Sequence, residues 1–366
     1  MTATSTTVPA RRHAVFHRLR VAAVQRLTED AVAVTFDVPD RLRDEFRFDP
    51  GQHVSVRAAA LGDDVRRNYS ICAPATRGPL RIGVKRIPDG VFSAFVAERL
   101  QPGDTLEVMT PTGTFSPRLD PTRARRYVAV AAGSGITPVL SILATALEVE
   151  PASTAALVYA NRRISTIMFL EELEDLKNRF PARFQLIHVL GHELTEVDML
   201  SGRLDGDRFD RILDTILPVD DVDDWYLCGP LALADTVRAI LLDRGVPAEH
   251  VHRELFHVGA PPRRRVVDAD VPATGARVTA ILDGRSIELT VPPDGDSILE
   301  ATLRVRPDAP FACKNGVCGT CRARIVEGRV QMDANYALEP DEVGRGYVLT
   351  CQSHPVTDRV VLDFDR

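Results

Sequence analysis

Four cysteines near the C-terminus constrain this 366-residue chain more than any other feature. Three follow one another closely, as Cys313-x4-Cys318-x2-Cys321, and Cys351 comes after a further 29 residues (322–350). Thiolates with this spacing ligate a [2Fe–2S] cluster, three from one loop and the fourth from a distant segment. The C-terminal part of the chain is therefore predicted to fold around a one-electron centre.

Two other uses of these cysteines are weaker. A zinc site more often shows paired Cys-x2-Cys knuckles or mixed Cys/His ligands, and no second pair exists here. Disulfides need an oxidising compartment, and no clear secretory signal is present, so we expect a reducing, cytoplasmic location. Gly316 and Gly319 also suit a cluster loop, because residues without Cβ let backbone N–H groups approach the sulfurs.

Composition excludes some classes of protein. A length of 366 residues predicts two or three domains, and 45% hydrophobic and 26% charged residues are typical of a globular protein. A net charge of −6 gives no indication of nucleic-acid binding. The apolar stretch that begins at Tyr127 is long enough for a membrane span, but Gly133, Gly135 and Pro138 favour a strand, a turn and a helix. Residues 1–20 lack acidic side chains, which faintly resembles a transit peptide, although a frayed start is favoured.

The first part, residues 1–118, is predicted to be a small antiparallel β-barrel. Its short strands are separated by glycine and proline turns, as is typical of such barrels. The predicted strands are residues 19–24, 31–38, 52–56 and 81–86.

Two motifs in this part could bind phosphate and an aromatic ring. Arg67, Tyr69 and Ser70 lie along one extended segment, where a guanidinium suits pyrophosphate and a tyrosine ring can stack on a heteroaromatic system. Gly90-Val91-Phe92-Ser93 leads into a predicted helix, residues 93–100, whose free N–H groups attract anions. Each motif alone is short, and an exposed strand or turn is the alternative.

The middle part, residues 119–257, alternates strands and helices. Strands are predicted at 126–132, 155–159, 185–189 and 225–228, and helices at 139–147, 168–179, 207–216 and 231–244. This alternation favours a doubly wound parallel sheet, which binds ligands beyond the carboxyl ends of its strands. The special residues at those ends are Gly133, Gly135, Thr137, Asn161, Arg162, Arg163, Cys228, Gly229 and Pro230.

Two points about these strand ends stay open. A glycine turn before a helix can bind pyrophosphate, but residues 133–138 lack the Gly-x-Gly-x-x-Gly fingerprint of the common dehydrogenases. Cys228 could be a buried structural thiol or could line a nicotinamide site.

In this order, Arg67-x-Tyr69-Ser70, Gly133-Ser-Gly-Ile-Thr-Pro138 and Cys228-Gly229-Pro230 resemble the ferredoxin–NADP reductase family over roughly residues 15–257. The resemblance implies that Arg67, Tyr69 and Ser70 hold FAD, with Tyr69 on the isoalloxazine and Ser70 near N5. It implies that the segment from Gly90 to Ser93, including Phe92, meets the FAD pyrophosphate.

The same resemblance implies a nicotinamide nucleotide site. Thr137 and Cys228 would shape the nicotinamide pocket, so Tyr69, Ser70 and Cys228 are the expected catalytic positions. Asn161, Arg162 and Arg163 would meet the adenosine end, and the two arginines favour NADPH, with NADH left open. Glu254-Leu-Phe256 resembles the segment that ends this domain beside the flavin.

Residues 276–366 resemble a plant-type ferredoxin with a β-grasp fold. Strands are predicted at 277–282 and 286–291, joined around Asp283-Gly284, a strong hairpin signal. A helix predicted at 297–304 leads to the cluster loop. Residues 258–275 form a linker by composition.

Two C-terminal motifs give a closer resemblance over nearly the whole chain. Met332-x-x-Asn335-Tyr-x-Leu-Glu-Pro-Asp-Glu342 and Gly346-Tyr-Val-Leu-x-Cys351-Gln352 are similar to the reductase subunits of phenylacetyl-CoA epoxidases. This implies an oxidoreductase that passes electrons from NAD(P)H through FAD and the cluster to separate di-iron oxygenase subunits. The runner-up is the reductases of Rieske-type steroid hydroxylases. Neither nucleic acid nor a membrane is an expected partner.

Overall fold

The computed structural model describes residues 15–62, 65–256, 272, 274–292 and 295–366. The chain divides into two compact units, of which the larger is Phe16–His257 and the smaller contains the described residues from 272 onward. The predicted domain boundaries stay predictions, and the predicted linker lies outside the described residues except for 272, 274 and 275. Within the described residues, no helix is long and apolar enough to cross a membrane.

The first half of the larger unit is an antiparallel sheet whose two ends meet. Its strands are β1 (Phe16–Thr28), β2 (Ala31–Asp37), β3 (His53–Arg57), β4 (Arg66–Ser70), β5 (Arg81–Lys85) and β6 (Thr105–Met109). Their order is β4-β3-β6-β1-β2-β5, and a bridge between Ile71 and Ile82 joins the end of β4 to β5. The predicted barrel is confirmed.

One helix, α1 (Val91–Glu98), follows β5. It begins two residues earlier than predicted, because Gly90 rather than a later residue is its N-cap. Ser93 therefore lies inside the first turn instead of starting the helix.

The second half of the larger unit is a parallel sheet of order β11-β10-β7-β8-β9. Its strands are β7 (Arg126–Ala132), β8 (Thr154–Asn161), β9 (Phe184–Leu190), β10 (Asp224–Cys228) and β11 (Val251–Glu254). Its helices are α2 (Ile136–Val149), α3 (Leu170–Arg179), α4 (Gly206–Thr215) and α5 (Leu231–Asp243). The strand order reverses between β7 and β10, which is where such sheets bind ligands.

Helices cover both faces of this sheet, which confirms the doubly wound prediction. Along β7, Tyr127, Ala129 and Ala131 pack in the core that contains α2 and α3, whereas Val128 and Val130 pack in the core with α4 and α5. A strand with two covered faces has no solvent side, so β7 reads as one continuous apolar run.

Helix α2 is longer than predicted. The glycine turn ends at Gly135, and the helix runs from Ile136 to Val149 rather than over 139–147. Pro138 is tolerated in the first turn because the first N–H groups of a helix have no intrahelical partner.

The smaller unit has the predicted β-grasp fold. Its strands are β12 (Ala276–Leu282), β13 (Arg285–Val291), β14 (Arg322–Glu327), β15 (Val330–Met332), β16 (Tyr347–Leu349), β17 (Ser353–Pro355) and β18 (Arg359–Asp363). Its helices are α6 (Ile298–Val305) and α7 (Pro340–Gly344). The main sheet has the order β13-β12-β18-β14-β16, with β12 and β18 parallel. Asp283 and Gly284 form the hairpin turn with φ values of 55° and 68°, as a type I′ turn requires.

Candidate functional site

The glycine turn after β7 is built by two close contacts. The Tyr159 hydroxyl donates to the carbonyl oxygen of Gly133, over 2.8 Å, which holds that glycine at a φ of 54°. A Cβ on Gly135 would lie 2.5 Å from the carbonyl carbon of Cys228 and would overlap its oxygen. The start of α2 therefore packs directly on the end of β10, and the structure brings together turn residues that are 93 positions apart (228 − 135).

A cavity of about 650 Å³ opens beyond these strand ends. Of the predicted nucleotide-site residues, seven line it: Gly133, Gly135, Asn161, Arg162, Gly229, Pro230 and Phe256. Thr137, Arg163, Cys228 and Glu254 do not line it. The cavity also has lining residues that the sequence analysis missed, among them Lys85, His192 and Arg203.

Thr137 has a packing role beneath the turn. Its hydroxyl donates to the carbonyl of Ser134 over 3.0 Å, and its side chain is buried. A Cβ on Gly83 of β5 would lie 2.7 Å from the Thr137 methyl group, so this glycine lets the barrel approach the start of α2.

Three predicted residues meet in a buried cluster. The Ser70 hydroxyl donates to Oε2 of Glu254 over 3.0 Å, although the two residues are 184 positions apart. Cys228 and Glu254 are register partners on the neighbouring strands β10 and β11. Burial raises the pKa of the Cys228 thiol well above its usual value, and Glu254 adds to the effect. Cys228 is thus a neutral thiol rather than a nucleophile.

The two barrel motifs also come together. The rings of Tyr69 and Phe92 are 5.8 Å apart between centroids. The Ser93 hydroxyl donates to the carbonyl of Gly90 over 3.1 Å and fixes the turn before α1. Arg67 is exposed, and one of its guanidinium nitrogens donates to the Arg66 carbonyl over 2.7 Å.

The four predicted cluster ligands form two pairs of sulfurs. A thiol hydrogen bond from Cys318 lowers the pKa of Cys313 to about 6, and one from Cys321 lowers the pKa of Cys351. The backbone N–H of Asn315 also donates to the Cys313 sulfur over 3.4 Å. All six cysteines of the chain lie in its described part, and none of them forms a disulfide.

The backbone conformation of the cluster loop, and the hydrogen bonds that other segments make to it, bring the four sulfurs into these pairs. Lys314, Gly316 and Gly319 have φ values of 55°, 75° and 65°, the left-handed conformation that turns backbone N–H groups inward. Tyr336 donates its N–H to the carbonyl of Gly316 over 3.0 Å, and the Gln352 side chain donates to the carbonyl of Lys314 over 2.9 Å. Both C-terminal sequence motifs therefore brace the cluster loop.

Three family models match the chain in the order of these sites. A model described as "Oxidoreductase FAD-binding domain" matches residues 18–116, "Oxidoreductase NAD-binding domain" matches 129–239, and "2Fe-2S iron-sulfur cluster binding domain" matches 280–356. The chain is 43% identical to a subunit of 1,2-phenylacetyl-CoA epoxidase from Escherichia coli K12, over 96% of this chain and 98% of the relative. It belongs to the family of oxygenase reductase components.

A second relative and a solved structure are also reductases of this kind. The ferredoxin reductase component of 3-ketosteroid-9-alpha-monooxygenase from Rhodococcus rhodochrous is 35% identical, over 94% of this chain and 96% of the relative. Phthalate dioxygenase reductase, whose structure is titled modular for electron transfer from pyridine nucleotides to [2Fe–2S], is 27% identical. The structural match covers 95% of this chain and 98% of the phthalate dioxygenase reductase chain, with a TM-score of 0.57.

The reductase uses FAD, NAD(P)H and a [2Fe–2S] cluster, and the residues present fit each group. Cys313 pairs with Cys318 and Cys321 pairs with Cys351 through thiol hydrogen bonds, and these four side chains would hold the cluster. In the nucleotide cavity, a Cβ on Gly135 would overlap the Cys228 carbonyl, so this turn requires glycine. At the flavin side, a Cβ on Gly90 would lie 2.4 Å from the Ile87 side chain and 2.5 Å from the Ser93 hydroxyl, so a larger residue there would displace both side chains.

His53 is a further site residue that the sequence analysis missed. It is the register partner of Ser70 on β3, and its Nδ1 lies 3.9 Å from Oε1 of Glu254. Burial lowers the pKa of His53 to about 4, so the ring is neutral. The available signal was a titratable side chain within a strand otherwise rich in valine, but the neighbour across the sheet and Glu254 are visible only in three dimensions.

Glu254 should make the stability of the reductase fall between pH 6.5 and 8. Burial raises its folded pKa from 4.5 to about 8, opposed by the Ser70 hydrogen bond. Its contribution is therefore fully present below pH 4.5 and is lost as the pH rises to about 8. His53 acts in the opposite direction, with a contribution present above pH 6.5 and lost as the pH falls to about 4. Of these two groups only Glu254 changes above pH 6.5, by roughly 2 kcal/mol over the window.

Urea unfolding across this pH window measures the effect. The Glu254→Gln variant, which cannot ionise, should lose the fall in the free energy of unfolding that Glu254 causes in the wild type from pH 6.5 to 8. Glu249→Gln removes a carboxylate from an exposed position and should keep the wild-type slope. A slope that persists in Glu254→Gln would assign the titration to another group.

Proposed function

We propose that this reductase passes electrons from NADPH, through FAD and the [2Fe–2S] cluster, to the oxygenase subunits of a phenylacetyl-CoA epoxidase. The observation that carries the proposal is 43% identity to the Escherichia coli epoxidase subunit over nearly the full length of both chains. The match includes both the nucleotide-binding part and the cluster-binding part, so it concerns the whole electron path. A cytoplasmic location is part of the proposal, because cysteines that do not form disulfides and a supply of NADPH suit a reducing compartment.

Residue roles on the flavin side are also proposals. Arg67, Tyr69 and Ser70 would hold FAD, and the turn from Gly90 to Ser93, with Phe92, would receive its pyrophosphate. The proposal is supported by the contact between the Tyr69 and Phe92 rings, one from each motif, whose centroids are 5.8 Å apart. When bound, FAD supplies the conversion of a two-electron donor into single electrons that the cluster accepts.

The side chains of Ser70, Glu254 and His53 would hold protons at this site. The Ser70 hydroxyl donates to Glu254 in this structure, and the other carboxyl oxygen of Glu254 lies 3.9 Å from Nδ1 of His53. Because burial keeps Glu254 protonated near neutral pH, this carboxyl can give up or take back a proton within the site. Cys228, a neutral and compact thiol, would leave the adjacent space apolar for the nicotinamide.

Nucleotide preference is proposed to favour NADPH. Arg162 lines the cavity and Arg163 does not, so only the first of the two predicted arginines supports that preference by its position. Asn161, which lines the cavity, would contact the adenosine end.

A second candidate function is electron delivery to a Rieske-type steroid hydroxylase. It is favoured by 35% identity over nearly full length to the 3-ketosteroid-9-alpha-monooxygenase reductase component. The architecture is the same in both cases, so the acceptor is what separates the two candidates.

A reconstitution assay with two acceptors tests the proposal. The reductase, NADPH and oxygen are mixed either with phenylacetyl-CoA and the epoxidase oxygenase subunits, or with a ketosteroid and the steroid hydroxylase. We expect epoxide in the first mixture and, at matched protein concentration, little product in the second. Steroid product without epoxide would transfer the assignment to the second candidate. A mixture without the reductase controls for other electron sources.

A further inference from the structure

Three lysine or arginine side chains among the described residues line the cavity, and they differ in how closely a carboxylate approaches their charge. Nζ of Lys85 lies 3.2 Å from Oδ2 of Asp30, and Nη2 of Arg162 lies 3.9 Å from the same oxygen. Arg203 is exposed, and no carboxylate in the described residues pairs with it. Arg203 is therefore the lining cation with its full charge available to a ligand.

The backbone around Arg203 is anchored to the strand ends that form the cavity. His192 donates its N–H to the carbonyl of Arg162, and Gly202 donates its N–H to the carbonyl of Leu190, each over 2.8 Å. Leu190 also forms a parallel bridge with Ser201. Since β9 pairs with β8 on its other side, the rim runs from Arg162 through His192 to Arg203.

Helix α4 fixes the segment before Arg203. The Arg208 guanidinium donates to the carbonyls of Ser201 and Arg203, over 2.8 and 3.4 Å. Gly202 has a φ of 100°, and a Cβ there would lie 2.6 Å from the Arg208 guanidinium. The backbone of Arg203 is thus held in place, while its side chain remains available at the cavity.

The lining of the cavity contains no Asp or Glu among the described residues. Dinucleotide sites that select NAD place a carboxylate on the ribose 2′-hydroxyl, whereas an arginine accommodates the 2′-phosphate of NADP. A lining without Asp or Glu, together with an arginine that no carboxylate of the described residues pairs with, matches the second chemistry.

We propose that Arg203 is the principal residue that selects the 2′-phosphate of NADPH, with Arg162 in a lesser role because Asp30 shares its charge. This rests on the proposed NADPH preference and names the residue behind it. Arg163, which the sequence indicated equally with Arg162, contributes little.

Two nucleotide fragments test the selection on the full-length reductase with its cofactors bound. Adenosine 2′,5′-bisphosphate carries the 2′-phosphate and 5′-AMP lacks it, so each is titrated by calorimetry and as a competitor of NADPH-driven ferricyanide reduction. In Arg203→Ala, the affinity for the bisphosphate should fall by about tenfold to a hundredfold. The affinity for 5′-AMP should change by less than about twofold. Arg203→Lys, which keeps a charge without the guanidinium fork, should lose less than Arg203→Ala.

Arg163→Ala is the matched control, since it removes an exposed arginine from the adjacent rim segment but not from the cavity lining. It should leave both affinities unchanged. Equal losses for the two fragments in Arg203→Ala, or a larger loss in Arg163→Ala, would overturn the assignment to Arg203. If the wild-type protein bound both fragments equally, the proposed NADPH preference itself would be wrong. NADH-driven electron delivery to the oxygenase would then show that the proposed function still holds.

Discussion

Cys318→Ser is expected to abolish electron delivery to the oxygenase while NADPH-driven reduction of ferricyanide continues at close to the wild-type rate. Cys318 is paired with Cys313 on the cluster loop, and a serine hydroxyl is a far weaker ligand than a thiolate for iron. The flavin and nucleotide residues belong to the larger unit, and the four cluster cysteines belong to the smaller one. Loss of the cluster should therefore leave the first half of the electron path in place.

Iron content, the visible spectrum and the two activities measure this outcome together. Cys72→Ser is a suitable control, because that thiol is buried in the larger unit and donates to the Arg81 carbonyl, as a hydroxyl also could. It should retain iron and both activities. If ferricyanide reduction disappeared in Cys318→Ser while FAD remained bound, the two halves would not be separable as proposed.

Gly135→Ala is expected to lower kcat/KM for NADPH by about a hundredfold or more without releasing FAD, since a barrier rise near 3 kcal/mol has that effect. The added methyl group would overlap the Cys228 carbonyl, which is backbone and cannot rotate away. The start of α2 and the end of β10 must then separate, and the turns beside them, Gly133 to Gly135 and Gly229 with Pro230, line the cavity. The FAD motifs lie on the barrel and should be affected little.

Gly133→Ala separates steric overlap from a general effect of alanine in this turn. A Cβ at Gly133 meets nothing within 4 Å, so the main cost is the φ of 54°, about 1–2 kcal/mol. Its loss of kcat/KM should be clearly smaller than that of Gly135→Ala. Equal losses would show that turn conformation, rather than the approach to Cys228, limits nucleotide binding.

The cluster and the fold of each part could be predicted from local patterns. The spacing of Cys313, Cys318 and Cys321 reflects the geometry of ligands on one short loop, which depends on neighbours in sequence. Alternation of apolar strands with helices over residues 119–257 likewise reflects local periodicity. Asp283-Gly284 predicted its hairpin because two left-handed residues are required at that turn.

Helix starts were less well predicted, for a physical reason. The predicted start at residue 139 assumed that the glycine turn extends through Pro138, but proline is compatible with a first helical turn, and the helix begins at Ile136. Likewise Gly90, not Ser93, caps α1. Glycine and proline indicate where a helix boundary lies, but tertiary packing decides the exact residue.

The sequence by itself determined the three parts of the chain and the chemistry of each, because ligand spacing and periodicity are local properties. Only the tertiary structure decided which side chains share a site. His53 meets Glu254 because β3 and β11 converge on Ser70, and no pattern within either segment indicates that. Arg203 lines the cavity and Arg163 does not, because contacts across strand ends follow from sheet order and loop packing rather than from position along the chain.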